Sequence, residues 1–349
     1  MVIRNKRIEW IDICKTIGIF FVTIGHVAIP KIVDIWIHSF HMPLFFILSG
    51  LCFNEVKHKK SKEFILNRLK TLIVPYIIFS WILYYLWILI NFLYNKTGIS
   101  TSCNILIDCM LNPATNTSCY GAVNWFLPSL FIIEIFFFFI SKICKHNRKV
   151  IFLISIIISI IGFFTPTFLK TRLPLAIDSS IIGLSFYSIG WLLKGIKFDK
   201  IKIVLKRNIL LSHLVIIGLF IFFIPIIMIN KMTNIRTLVF GNYSLFFLNS
   251  ICMSILFILV SILLDIDSKK VKIINKLKII GKHTLIILLF NPVLGRIYLL
   301  LTEKVVISNK YLLLLNSSIV SVIILIICTL ISIFINKFLP FLIGKKKKV

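Results

Sequence analysis

Acidic residues are scarce in this chain of 349 residues, with 12 Asp and Glu against 40 Lys and Arg. Charged residues of both signs make up only 15%, while 59% of positions are apolar and the mean hydropathy is +1.01. Soluble domains carry roughly 45–50% apolar residues, so this composition excludes an ordinary cytosolic enzyme and a disordered chain. No stretch of soluble composition is long enough for a separate domain, and residues 1–349 read as one membrane-embedded unit. A cleavable leader is also lacking. The first apolar run follows Arg4-Asn5-Lys6-Arg7 without a small-residue cleavage site, which predicts a retained signal anchor. No internal repeat is visible, which counts against the inverted-repeat transporters. The net charge of +28 would point to nucleic acid if it lay on a soluble surface. In so apolar a chain it reports topology, because cytoplasmic loops of membrane proteins collect Lys and Arg. No nucleic-acid partner is expected.

What the chain does have is long apolar runs. A transmembrane helix needs about 20 mostly apolar residues. That ruler predicts an all-α, polytopic integral membrane protein with about ten transmembrane helices, near 10–29, 36–53, 71–93, 123–141, 150–166, 176–193, 209–229, 244–264, 280–300 and 311–336. Pro43 predicts a break or tilt in the second run, and Lys282, His283, Asn291 and Arg296 punctuate the ninth. With the N-terminus inside, thirty of the forty cations fall in inside segments and every inside loop is basic. Both termini are therefore expected to be cytoplasmic. The Ile/Lys/Asn-rich, Ala-poor composition points to a bacterial source, hence the bacterial inner (plasma) membrane. The outside stretch at 94–122 holds Cys103, Cys109 and Cys119, enough for one disulfide and a free thiol with the pairing left open. It also holds the glycosylation sequons at Asn95 and Asn116, which carry little meaning in a bacterial chain.

Ionisable residues inside a span are costly, so each is a functional candidate. The first span carries Asp12, Lys15 and His26. Asp12 and Lys15, three apart, are helical neighbours and an expected ion pair. Lys15 and His26 are eleven apart, which returns to within about 20° of one face and separates them by about 16 Å of rise. Lys15 reads either as a residue snorkelling to the inner headgroups or as part of a site, and His26 as a helix-packing residue or a reactive imidazole. His38 and His41 open the second span, so that His41 can approach His26; no carboxylate is placed to complete a metal site, and no metal is expected. Ser49-Gly50 reads as a close-packing point. Asn124 and Trp125 open the fourth span, Glu134 lies at its mid-depth, and Asp178 opens the sixth. His26, His41, Asn124, Asp178, Asn291 and Arg296 map to the outer half, with Arg68 and many lysines on the inner side. Such an outer polar pocket with a basic entrance below suits a reaction between a cytosolic phosphorylated donor and an acceptor outside.

These residues lie in segments that together resemble the membrane acyltransferase-3 family, and within it the fucose 4-O-acetylase-like branch. The segments are RIEWIDICKTIGIFFVTIGH, HSFHMPLFFILSGLCF, NRLKTLIVPY, NWFLPSLF, LPLAIDSSIIGLSFYSIGWLL and IIGKHTLIILLFNP, and they cover nearly the whole chain. The resemblance implies a single membrane-embedded acyltransferase domain. It would be an O-acetyltransferase moving an acetyl group from cytosolic acetyl-CoA, a co-substrate, onto a hydroxyl of an envelope glycan or lipid-linked saccharide, with no bound cofactor. The family signature is a basic residue, ten residues, then histidine; here these are Lys15 and His26, and Lys lacks the planar fork of the commoner Arg. His26 is the implied general base, with Asp12 orienting Lys15. Lys15, Arg68 and Lys70 are expected at the donor, and His41, Asn124, Trp125, Glu134 and Asp178 at the acceptor or acyl carbonyl. The family often has His where Asn291 stands, so no proton transfer is assigned there. The soluble extracellular SGNH domain that some members append is not seen. The competing class is a flippase or transporter of lipid-linked sugars, which would move its substrate without consuming acetyl-CoA. The oligomeric state is left open.

Overall fold

The computed structural model describes residues 7–54, 60–94, 103–115, 124–267 and 271–345. Among these, secondary structure is helical apart from one isolated bridge between Asn234 and Val239. Nine helical stretches are long and apolar enough to cross a membrane: Lys31–Cys52, Ser61–Leu93, Phe126–Ile143, Arg148–Leu169, Pro174–Leu193, Ile209–Ile229, Tyr243–Ile266, Thr284–Leu301 and Lys310–Phe338. The first expected run forms α1 (Glu9–Ile24), whose 16 residues are short for a crossing by length alone. The chain is thus a multi-pass, all-helical membrane protein. Asn95, Asn116 and Cys119 lie outside the described residues, as does the side chain of Cys103; Cys109 is disulfide-bonded.

The helices break where the backbone has a local reason to do so. The second run splits into α2 (Lys31–His38) and α3 (His41–Cys52) at Ser39 and Phe40. The expected break at Pro43 is displaced, because Pro43 sits in the first turn of α3, where its missing N–H costs nothing. The interrupted backbone is satisfied from another helix, since Ser250 Oγ donates to the Ser39 carbonyl at 2.6 Å. The third run starts earlier than expected, as α4 (Ser61–Arg68) leading into α5 (Val74–Leu93). Pro75 can give no N–H to the Thr71 carbonyl, and the turn before it, Leu69–Ile73, is widened into a π turn. Next come α6 (Cys103–Leu111), α7 (Phe126–Ile143), α8 (Arg148–Leu169) and α9 (Ile177–Leu193). They are followed by a short basic helix α10 (Phe198–Arg207), then α11 (Ile209–Ile229) and α12 (Tyr243–Asp267). The ninth run is punctuated because it is two helices, α13 (Lys272–Lys282) and α14 (Thr284–Leu301), meeting at His283. The last helix is α15 (Lys310–Phe338).

α1 lies at the centre of the bundle, packed by α3, α12, α13, α14 and α15. α11 lies at the rim, with Leu210, Leu214, Ile221 and Phe222 exposed to lipid. At the basic face one charge cluster ties four helices. Lys278 on α13 pairs with Glu9 at 2.6 Å and with Asp265 at 2.9 Å, and Asp265 also takes Lys202 at 2.6 Å. The positive-inside rule makes this face cytoplasmic.

The most extensive helix crossing is α3 on α9. A methyl group on Gly50 would collide with the Tyr187 carbonyl, and one on Gly190 with the Ile47 carbonyl. The two backbones meet through reciprocal glycines, the small-residue contact that membrane helices use in place of a hydrophobic drive. Gly190→Ala is expected to cost about 1–3 kcal/mol through overpacking. Gly218→Ala, on the lipid side of α11 with nothing within 4 Å, should change stability by less than about 0.5 kcal/mol. Unfolding in detergent, followed by circular dichroism, compares the two. Equal midpoints for both variants would remove the α3–α9 crossing from the account.

Candidate functional site

His26 sits two residues past the end of α1, so helical geometry carries Lys15 but stops short of the imidazole. Its N–H donates to the Thr23 carbonyl at 3.0 Å, closing a tight turn. Its own carbonyl faces α14 so closely that a Cβ at Gly295 would lie 2.6 Å away. On the other side, Ser317 of α15 donates its hydroxyl to the Ala28 carbonyl. The turn is therefore held by two helices besides its own.

The His26 ring lines a cavity of about 250 Å³ at the face opposite the lysines, together with His38, His41, Trp125, Asn234 and Arg236. His38 Nδ1 is 2.9 Å from the Asp34 carboxylate. His41 Nδ1 is 2.8 Å from the Ile37 carbonyl. A carbonyl only accepts, so Nδ1 of His41 carries a proton and Nε2 of the neutral ring keeps its lone pair. The two rings meet edge to face at 4.9 Å. The imidazole of His26 has no hydrogen bond or ion pair to protein among the described residues. Nor, among them, is any group of three His, Cys, Asp or Glu arranged to hold a metal.

The expected site residues divide between this cavity and other places. His26, His41 and Trp125 line it. Asn124, fully buried beside Trp125, donates Nδ2 to Ser80 Oγ at 3.3 Å and leaves Oδ1 without a protein partner. Asn291 behaves alike. Its Nδ2 donates to the Ile287 and Leu288 carbonyls, and its Oδ1 is unpartnered. Glu134 and Arg68, expected at opposite ends of the reaction, form one ion pair at 2.8 Å instead. A mid-membrane carboxylate needs such a cation. Asp12 takes Arg7 in a two-pronged pair at 2.6 and 2.7 Å in place of the expected Lys15. Lys15 is half-buried, lies outside the His26 cavity, and has no hydrogen bond or ion pair among the described residues. Lys70 and Arg296 are exposed.

Asp178 is saturated. It receives Arg172 Nε at 2.5 Å and Nη2 at 3.0 Å, and the backbone N–H groups of Leu173 and Ser179. This closes a loop in which Leu175 and Ala176 adopt left-handed φ values of 55° and 58°, a costly conformation for residues with a side chain. Arg172 reaches further and donates Nη2 to the Arg236 carbonyl at 2.8 Å. Asp178 thus bears on the cavity through Arg172, by fixing the backbone of a cavity residue.

Arg236 and Asn234 escaped the sequence reading. They lie in the connection between α11 and α12, where Asn234 Oδ1 accepts the Arg236 and Thr237 N–H groups and the Asn234–Val239 bridge closes the turn. The available signal was a cation on the outer side, against the prevailing charge gradient. Burial and the neighbouring Arg172 charge hold the Arg236 guanidinium below the usual arginine range.

At the cytoplasmic face a second cavity, of about 970 Å³, is lined by Arg7, Trp10, Lys194, Lys197, Lys200 and Lys206 among others. Lys194 is engaged by the Phe53 carbonyl at 2.7 Å. Lys197, Lys200 and Lys206 have no hydrogen bond or ion pair to their side chains among the described residues. An imidazole cavity at one face and a cavity at the other whose lysines outnumber Glu9, Asp199 and Asp265 are joined by α1. The acyltransferase-3 family model, described as an acyltransferase domain, matches residues 8–337, and the chain belongs to that family. It is a membrane acyltransferase. No match is found among curated proteins or solved structures.

Asp178→Ala would strand the Arg172 guanidinium, whose side chain is 19% exposed. Removing one partner of a buried pair costs about 3–5 kcal/mol. Asp178→Asn keeps an acceptor oxygen and should lose less. Thermal unfolding of both variants orders them, and a milder Ala variant would contradict the pairing.

Proposed function

We propose that the protein is an O-acetyltransferase of the fucose 4-O-acetylase-like branch in a bacterial plasma membrane, built as one membrane-embedded domain. It carries acetyl from cytosolic acetyl-CoA to a hydroxyl of an envelope or exported glycan. The observation that carries this reading is the His26 imidazole, with no hydrogen bond or ion pair among the described residues, in a cavity at the face opposite the lysines of an acyltransferase-family chain. The donor's phosphates meet Lys197, Lys200 and Lys206 in the cytoplasmic cavity, and Lys15 lies further along α1 toward His26. Arg68, neutralised by Glu134, is a weaker phosphate partner than its position in the sequence suggests.

In the reaction the His26 imidazole takes the acceptor hydroxyl proton. The oxygen forms a bond to the thioester carbonyl carbon, the carbon–sulfur bond breaks, and the leaving thiolate takes the proton back. Imidazole suits both transfers because the neutral ring accepts a proton at one nitrogen and its protonated form gives that proton back. His41, through Nε2, and the unpartnered Oδ1 of Asn124 are the groups that hold the acceptor.

The test is acetyl-CoA turnover by the purified protein with a glycan extract. A positioned general base contributes about 10²–10⁴-fold, so His26→Ala should lose at least a hundredfold while still binding acetyl-CoA. Wild-type turnover by that variant would refute the role of His26. Absence of saturable acetyl-CoA binding to the wild-type protein would favour a lipid-linked sugar flippase instead.

A further inference from the structure

Among the described residues, the charged groups at and beside the His26 cavity are paired except at one point. Asp34 is matched by His38, and Asp178 by Arg172. Arg236 has no carboxylate partner among the described residues. A guanidinium offers five N–H donors, and the one hydrogen bond to this guanidinium from the described residues goes from Nη1 to the Ala114 carbonyl at 3.3 Å. The backbone around it is fixed from both sides. Its N–H is held by Asn234 Oδ1 at 2.9 Å, and its carbonyl receives Arg172 Nη2 at 2.8 Å and Ser179 Oγ at 3.3 Å. A second guanidinium, that of Arg172, is close by. The chain thus spends several contacts to hold an uncompensated cation at the wall of the cavity that also contains His26.

A fixed cation short of counter-charge, with donors arranged in a planar fork, fits a carboxylate or phosphate. We infer that Arg236 selects an anionic saccharide as acceptor, binding its carboxylate or phosphate group while the hydroxyl to be modified lies toward His26. This rests on the acyl-transfer reading of the same cavity and adds the class of acceptor to it. Asn234 and the His38–Asp34 pair complete the polar wall. His38 already has its carboxylate, so Arg236 is the group left to meet an incoming anion.

The experiment is equilibrium binding to the full chain in nanodiscs without acetyl-CoA. Tryptophan fluorescence is the readout, since Trp125 is in the cavity wall. The probes are D-glucuronate, D-glucose 6-phosphate and D-glucose. At least one anion should bind tenfold or more tighter than glucose, and the tighter of the two tells carboxylate from phosphate. Arg236→Gln should abolish that preference, and Arg236→Lys should keep part of it. The comparison of anion with glucose on the wild-type protein needs no variant, so a poorly folding Arg236→Gln protein leaves the test intact. No preference for either anion in the wild-type protein, including no binding at all, overturns the inference. So does an Arg236→Gln protein that keeps the preference; if that variant then loses only turnover rate, Arg236 acts on the acyl oxyanion. Acetyl transfer to a neutral sugar with no anion preference would sink this inference and leave the proposed activity standing. Loss of the activity reading in the His26→Ala assay would leave the binding result standing.

Discussion

Two carbonyl groups of the first helical segment sit where only a hydrogen atom fits opposite them. That of Asp12 presses on Gly281 of α13, and that of His26 on Gly295 of α14. Between them Gly18 takes the edge of Phe45, with a Cβ position 3.1 Å from the ring, and Thr16 Oγ donates to the Leu277 carbonyl at 2.5 Å. Close-packed interiors do not deform continuously, so these contacts fix α1 in depth as well as in rotation. Everything placed by α1 inherits that register. Glu9 is set against Lys278 at one end, and the His26 turn is set in the cavity wall at the other.

The polar groups follow one rule, with informative exceptions. In lipid an ionised side chain must be matched or must face water. Arg68 with Glu134, Arg172 with Asp178, Arg7 with Asp12, and Lys278 with Glu9 and Asp265 are all matched. Those pairs are bought with residues that sequence reasoning could equally assign to catalysis. Among the described residues, the cations in or between the two cavities that lack a carboxylate partner include Arg236, Lys15, Lys197, Lys200 and Lys206. They lie where an anionic donor or acceptor would arrive, and that is the physical ground for separating scaffold charge from functional charge.

The helical runs were legible in the sequence because bilayer thickness sets a length that hydrophobicity reports directly. The three histidines of the cavity, His26, His38 and His41, were legible as well, since imidazoles at the ends of adjacent spans are brought together by a short connection. Breakpoints were less so. Pro43 drew attention, yet the chain parts at Ser39 and Phe40, where Ser250 of a distant helix can satisfy the freed carbonyl. Partners across helices were illegible for the same reason. Local spacing paired Asp12 with Lys15, but Arg7 reaches Asp12 from outside the helix, where its fork is free to turn. Glu134 and Arg68 meet only because α7 packs on the π turn beside Arg68. Arg236 lies in a loop without apolar periodicity, and its place depends on Arg172, which depends in turn on Asp178.

The separation of the two cavities constrains how any transfer can occur. α1 and the residue before it reach the cytoplasmic cavity through Ile8, Glu9 and Trp10, and the outer cavity through Phe21, Val22 and then His26. At 1.5 Å per residue the fourteen steps from Trp10 to the end of α1 at Ile24 span about 21 Å, and His26 lies just beyond. The glycine contacts at Gly281 and Gly295 oppose sliding of α1, because any axial shift drives a carbonyl into a neighbouring backbone. The proposed reaction therefore cannot work by carrying His26 toward the lysines. The acyl group must travel along the bundle on the arm of its own donor, while the imidazole and the acceptor stay in place. Lys15 lies on α1 between the two cavities, half-buried and with no hydrogen bond or ion pair among the described residues, and in the proposed reaction it adds positive charge between the donor's phosphates and the imidazole.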